Sequence, residues 1–231
     1  EDDGDTVDFS RLDLDDAASS VLVGIAVDLA EATVIATIDP MTGGAVEMTG
    51  ALVTAIESDG GDRPLALLAF SASAAGATAP ASSIEAIVGS GGADVLRGND
   101  ADNTFVVVGD GSRGASDIDG RGGDDTVDFS QIDVAADGRG IHVDLGADGG
   151  GVAIAADGTT LAILTAIETL VGSAGDDELC GDDTDNTLYG GEGSDTFVFV
   201  DFENDDWRGE SDGKRRGGDD VVADFDADWD S

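Results

Sequence analysis

The sequence predicts an all-β fold, a parallel roll in which short strands stack coil upon coil between glycine-rich turns. Three observations predict it. A nine-residue period runs through parts of the chain, with glycine at its first place, Asp or Asn at its sixth and an apolar residue at its eighth. Glycine is abundant, 35 of 231 residues, whereas proline occurs only 3 times. The apolar content of 41% is enough to bury a core, although acids outnumber bases 51 to 10.

The charge narrows the partners. A formal net charge of −41 opposes compaction unless carboxylates are neutralised or well solvated. It argues against nucleic acid and anionic membrane surfaces as partners. No apolar run approaches the ~20 residues of a membrane span. A halophilic surface would scatter its acids, whereas these recur at fixed spacing. Cys180 is the single cysteine, so no intrachain disulfide can form. In a secreted protein, bound metal is then the expected source of stability. The opening Glu1-Asp2-Asp3-Gly4-Asp5 reads as the middle of a motif, so the chain is expected to be a piece of a longer protein.

Longer repeats divide the chain. Thr6-Val7-Asp8-Phe9-Ser10 recurs at Thr126 to Ser130, and Gly24 to Leu29 recurs at Gly140 to Leu145. Ser83 to Ser90 recurs at Ala166 to Ser173. The common order predicts two tandem copies, 1–120 and 121–231. The offset shrinks from 120 (Thr6 to Thr126) to 83 (Ser83 to Ala166), so the first copy carries an insert, mostly at 58–80. Around Leu65 to Phe70 that insert fits either a short helix or an added strand pair.

Within the second copy three nonapeptides follow in register over 172–198: Gly172 to Cys180, Gly181 to Tyr189 and Gly190 to Val198. The first copy repeats the pattern at Gly89 to Arg97, with Asp94 at place six, and at Gly98 to Val106, with Asn103 there. Degenerate units centre on Asp125 and Asp220. Physically, the six residues from Gly to Asp form a turn, where glycine permits positive φ and close carbonyl approach. The next three form a strand whose central side chain points inward. Two units complete a coil, and stacked coils pile their turns into two columns. Hard oxygen ligands at flexible spacing suit Ca²⁺ and suit Mg²⁺ poorly. Units two apart are therefore expected to share an ion: Asp177 with Asp195, Glu168 with Asn186, and Glu85 with Asn103. Asp94 would have to pair with Ser112, where the period is interrupted, so the first copy is expected to bind fewer or weaker ions.

On these nonapeptides, which follow G-G-x-G-x-D-x-U-x, the chain resembles the RTX, or haemolysin-type calcium-binding, family. The resemblance implies several calcium ions and adds carbonyl donors at odd places of one turn and even places of the next. These are Gly172 and Ala174 facing Gly191 and Gly193, or the mirror arrangement, with Asp182 and Thr184 at places two and four of the middle unit. Asn103 and Asn186 stand where the family has Asp, which keeps an oxygen ligand and removes a charge. Family members are typically exported unfolded through a type I channel, so the resemblance also implies a secreted module that folds on meeting calcium. The alternatives are an accessory module of an exported protease, lipase or polysaccharide epimerase, or a repeat of a large surface adhesin, with the other domains outside this chain.

No catalytic constellation is expected. His142 is the single histidine, which leaves neither a zinc-protease helix nor a Ser-His-Asp triad within one chain. It matches Ala26 of the first copy and reads as a plain strand residue. Cys180, at an outward ninth place, lies far from it in the repeat, and no zinc site is expected from the two. The stretch 201–216, with Trp207, reads as a solvated acidic loop, and Asp224 to Asp228 as the strand and turn that close the roll.

Overall fold

The computed structural model describes residues 5–10, 22–29, 33–38, 45–57, 62–74, 84–146, 150–199 and 220–225. The loop at 201–216 and the end of the closing motif, 226–228, lie outside them. The described residues form strands β1 (Asp5–Asp8), β2 (Leu22–Asp28), β3 (Thr33–Ile38), β4 (Ala45–Glu57), β5 (Asp62–Ala74) and β6 (Ile84–Val88). The chain continues through β7 (Val95–Arg97), β8 (Thr104–Val106), β9 (Ser116–Asp119), β10 (Thr126–Asp128), β11 (Arg139–Asp144) and β12 (Gly150–Ala155). It ends with β13 (Thr160–Thr165), β14 (Thr169–Val171), β15 (Asp176–Cys180), β16 (Thr187–Tyr189), β17 (Thr196–Val198) and β18 (Val221–Val222). The fold is all β, and among the described residues no helix is long and apolar enough to cross a membrane.

From β6 to β11 and from β13 to β18 successive strands alternate between two sheets, as a coil of two nonapeptides requires. One sheet has the order β1-β6-β8-β10-β14-β16-β18, and every neighbouring pair is parallel. The other has eleven strands in the order β17-β15-β11-β12-β13-β9-β7-β2-β4-β3, with β5 paired to β4. Here the structure adds what the nonapeptide does not encode. β12 runs antiparallel between β11 and β13, and β4 runs antiparallel to β2, β3 and β5. The described part of the insert, Asp62–Ala74, is therefore a strand, β5, paired with β4. Both sheets pass uninterrupted through residue 120, because β8 pairs with β10 and β9 with β13.

The core follows from the short strands. In β7, β10, β14 and β16 only the middle residue is fully buried: Leu96, Val127, Leu170 and Leu188. In register these side chains form two apolar ladders. One runs Ile87, Phe105, Val127, Leu170, Leu188; the other contains Val27, Leu96, Ile118 and Leu164. Each fully buried side chain of this size stabilises by roughly 1.5–3 kcal/mol. A nonapeptide contributes one such side chain, so the core is thin and the turns must hold themselves together by other means.

Candidate metal centre

The turns are built around the side chain at place six. In the turn 172–177, Asp177 folds back over its own start: Ser173 N–H donates to Oδ2 at 2.6 Å and Ser173 Oγ–H to Oδ1 at 2.7 Å. Ile141 N–H, from the next coil, donates to the same Oδ1 at 2.7 Å. The first copy repeats the arrangement around Asp94, with Ser90 N–H at 2.8 Å, Ser90 Oγ–H at 2.6 Å and Ile25 N–H at 2.9 Å. Asn103 and Asn186 make the same backward bond through Oδ1, from Asn99 N–H at 2.9 Å and Asp182 N–H at 2.7 Å.

The two roles expected of glycine in the turns, positive φ and close carbonyl approach, fall at different places. Gly89, Gly98, Gly120, Gly172, Gly181 and Gly190 do not have positive φ; the left-handed glycines lie elsewhere, as at Gly191 and Gly193. Space makes place one glycine. A Cβ on Gly89 would lie 2.6 Å from Asp94 Oδ2, and one on Gly181 2.6 Å from Asn186 Oδ1. At Gly98, Gly120 and Gly172 a Cβ would also press on a carbonyl oxygen of the next coil, that of Gly120, Ala166 and Gly190. Two oxygens thus converge over a bare Cα, one from a side chain and one from the neighbouring turn. Gly172→Ala is expected to lower stability in calcium by about 1–3 kcal/mol, as overpacking does. Gly91→Ala, where a Cβ meets nothing within 4 Å, is expected to be silent in the same urea titration.

Strand register stacks the place-six residues into two columns. The first is continuous and in register: Glu85, the second residue of β6, is followed by Asn103, Asp125, Glu168, Asn186 and Asp220, each immediately before a strand of the parallel sheet. Backbone amides link it. Asn103 N–H donates to Asp125 Oδ1 at 2.8 Å, Asp125 N–H to Glu168 Oε2 at 2.8 Å, and Asn186 N–H to Asp220 Oδ1 at 3.0 Å. The second column is broken by the antiparallel strands into Ile25, Asp94, Ser116 and Ile141, Asp177, Asp195. Asp177 N–H donates to Asp195 Oδ1 at 2.9 Å.

The expected pairings are therefore neighbours: Asp177 with Asp195, Glu168 with Asn186, and Glu85 with Asn103. The expectation for Ser112 is corrected. Ser112 is exposed, and Ser116 stacks on Asp94 instead, its Oγ 3.3 Å from Asp94 N, because the turn holds four more residues than the period allows. The carbonyls approaching Gly191 and Gly193 are those of Ser173 and Gly175. Gly172 is buried, its backbone facing the Gly190 carbonyl, whereas Ala174 is exposed. Asp182 is buried and accepts from Thr184 N–H at 2.8 Å and Thr184 Oγ1–H at 2.7 Å, an Asx turn. Ser90, Ser173 and Ser116 were missed by the sequence reading; the recurrence of Ser at place two in two units was the available signal. Asp224 closes the last turn, accepting from Gly190 N–H at 2.8 Å and Gly191 N–H at 2.9 Å.

The electrostatics are those of acids buried without enough positive charge. Burial pushes Asp94 up to about 6, against the pull of Ser90 and the Ile25 amide. Burial also pushes Asp125 up to about 7, with the carboxylates of Glu168, Asp102 and Asp124 adding to the rise. Asp177 and Glu168 are raised too, mainly by burial. Among the described residues two buried side-chain polar atoms have no hydrogen-bond partner, Asp125 Oδ2 and Asn103 Nδ2. A cation over Gly120 satisfies the first and not the second. A buried carboxylate oxygen, a carbonyl oxygen beside it and surrounding acids form a hard-oxygen set, which fits Ca²⁺.

A second cluster lies outside the turns. β11 and β15 place His142 beside Glu178, Nδ1 3.6 Å from Oε2, and bring Cys180 Sγ into the same group. The separation expected between His142 and Cys180 is thus wrong, because parallel pairing closes a gap of 38 residues. Burial, then the charges of Asp144 and Glu178, push the Cys180 thiol up to about 11.

No curated protein matches the chain. The RTX calcium-binding nonapeptide repeat matches in four copies, over residues 82–107 and 165–197. Those residues carry Asp94, Asn103, Glu168, Asp177, Asn186 and Asp195, the side chains stacked in the two columns. The chain thus carries RTX calcium-binding nonapeptide repeats, folded as an all-β roll with its repeat turns stacked in two columns.

Proposed function

We propose that the chain is a secreted module whose roll forms on calcium, after export as an extended chain, and that it is not itself catalytic. The observation that supports this best is Asp125 Oδ2, a carboxylate oxygen buried without a partner in the middle of a continuous column of place-six residues. In this reading Asp125 and Glu168, with the carbonyl of Ala166, hold an ion in that column. Asp177 and Asp195 hold one in the other. The ion supplies the positive charge that these carboxylates lack, and it binds only where the turns are stacked. Its binding free energy is then folding free energy. In the first copy Ser116 offers a hydroxyl where Asp195 offers a carboxylate, so calcium binds more weakly beside Asp94.

Small-angle scattering tests the extended-to-compact switch. In chelator the radius of gyration is expected to be about 50 Å, the unfolded value, and in millimolar Ca²⁺ about 17 Å. Magnesium at the same concentration leaves the chain expanded. Equal radii in chelator and in calcium would overturn the reading.

A further inference from the structure

His142, Glu178 and Cys180 share the outer face of the second sheet and belong to none of the calcium columns. Their candidate ligand atoms, a ring nitrogen, a carboxylate oxygen and the thiol sulfur, all lie within 4.8 Å of one another. Register explains how they meet. β11 and β15 are parallel neighbours with His142 opposite Glu178 and Asp144 opposite Cys180. Alternation along each strand puts all four on one face, while Val143 and Leu179 between them are fully buried in the core.

The duplication supplies an internal comparison. In the first copy β2 and β7 pair in the same register, Ala26 opposite Val95 and Asp28 opposite Arg97. The positions of His142, Glu178 and Cys180 are there occupied by Ala26, Val95 and Arg97. There the charge of Asp28 is answered by a bidentate ion pair from Arg121, at the start of the second copy, both bonds 2.7 Å. In the second copy the equivalent Asp144 lies beside a thiol, and Glu178 lies beside an imidazole. One lattice position has thus exchanged an apolar pair and an arginine for three metal-ligating groups of different chemistry.

We propose that His142, Glu178 and Cys180 form a separate site for one zinc-class divalent cation, clipping β11 to the tandem nonapeptides. A mixed N, O and S ligand set is the preference of Zn²⁺ and Co²⁺; Ca²⁺ takes oxygen alone and does not compete for it. Tetrahedral zinc, with bonds of about 2.0–2.3 Å, holds its ligands about 3.3–3.8 Å apart. The observed spread closes to that by side-chain rotation, and His142 and Glu178 are exposed enough to turn. The cation displaces the thiol proton, which leaves to solvent, and water takes the fourth position. The site is independent of the calcium reading, since it uses none of the place-six residues.

The test is made on the whole chain in millimolar calcium, titrated with Co²⁺ and then Zn²⁺. One equivalent of Co²⁺ is expected to give a thiolate-to-cobalt charge-transfer band and tetrahedral visible bands, both abolished by one equivalent of Zn²⁺. Cys180→Ser is expected to lose the charge-transfer band, and His142→Ala to weaken zinc binding at least tenfold. His142 is only half-buried, so that variant keeps the test alive if Cys180→Ser folds poorly, and circular dichroism in calcium reports folding of both. Zinc uptake unchanged in both variants would place the ion on the turn carboxylates and overturn the proposal. So would a cobalt complex without the charge-transfer band, or one that forms only between two chains.

Discussion

Chelating calcium near neutral pH is expected to abolish the β-sheet signal of this chain and its cooperative urea transition. The carboxylates of Asp94, Asp125 and Asp177 are buried, and the chain carries a formal charge of −41. An ion held at 100 times its Kd adds about 2.7 kcal/mol. Two or three such ions therefore account for about 5–8 kcal/mol, comparable with the roughly 5–15 kcal/mol of a whole domain. The pH dependence without calcium has a definite sign. Asp94 and Asp125 titrate near 6 and 7 when folded, above the unfolded value of about 3.9. The folded state then binds more protons than the unfolded state between those values. The calcium-free fold keeps its stability below about pH 4 and loses it as pH rises towards 7. In chelator, β structure is expected to return on acidification to about pH 4–5 and to be lost again at neutral pH. A chelated chain most stable at neutral pH would show that these acids are not the obstacle.

Replacing Asp177 is expected to move the calcium midpoint of folding far more than replacing Asp176, although the two are adjacent and chemically identical. Asp177 is 3% exposed and accepts from Ile141 N–H, Ser173 N–H and Ser173 Oγ–H. Asp177→Ala strands those donors in the interior at about 1–3 kcal/mol each and removes a candidate ligand. Asp177→Asn retains an oxygen acceptor and loses the charge, so its midpoint is expected to fall between wild type and the alanine variant. Asp176 is exposed and, among the described residues, accepts only Ser194 N–H, at 2.9 Å. Its removal is expected to change stability by less than about 0.5 kcal/mol. Calcium titrations followed by circular dichroism compare the variants at equal total charge. Equal shifts, or a larger one at Asp176, would mean that the turn alignment is wrong by one residue.

The short-range features were legible because a nonapeptide is a local device. Glycine at place one, Asp at place six and an apolar residue at place eight lie within one turn and one strand. The turn's self-bonding through Asp177 and the burial of Leu179 therefore follow from residues nine apart or fewer. The stacking of Asp177 on Asp195 was legible too, because equal spacing puts equal places in line.

What lay beyond the sequence was decided by pairing between distant strands. The nonapeptide pattern does not show that β12 reverses direction, because strand polarity is set by which neighbour supplies the hydrogen bonds. The turn before β9 shifted from Ser112 to Ser116, since strand register is set by burying Ile118 beside Leu96 and extra residues are absorbed in the loop. His142, Glu178 and Cys180 met for the same reason. Their convergence depends on β11 docking beside β15. Sequence alone determined the repeating turn and its oxygen-rich chemistry, which are local. Tertiary structure decided how many turns stack without a break and which outward side chains become neighbours, because both depend on non-local register.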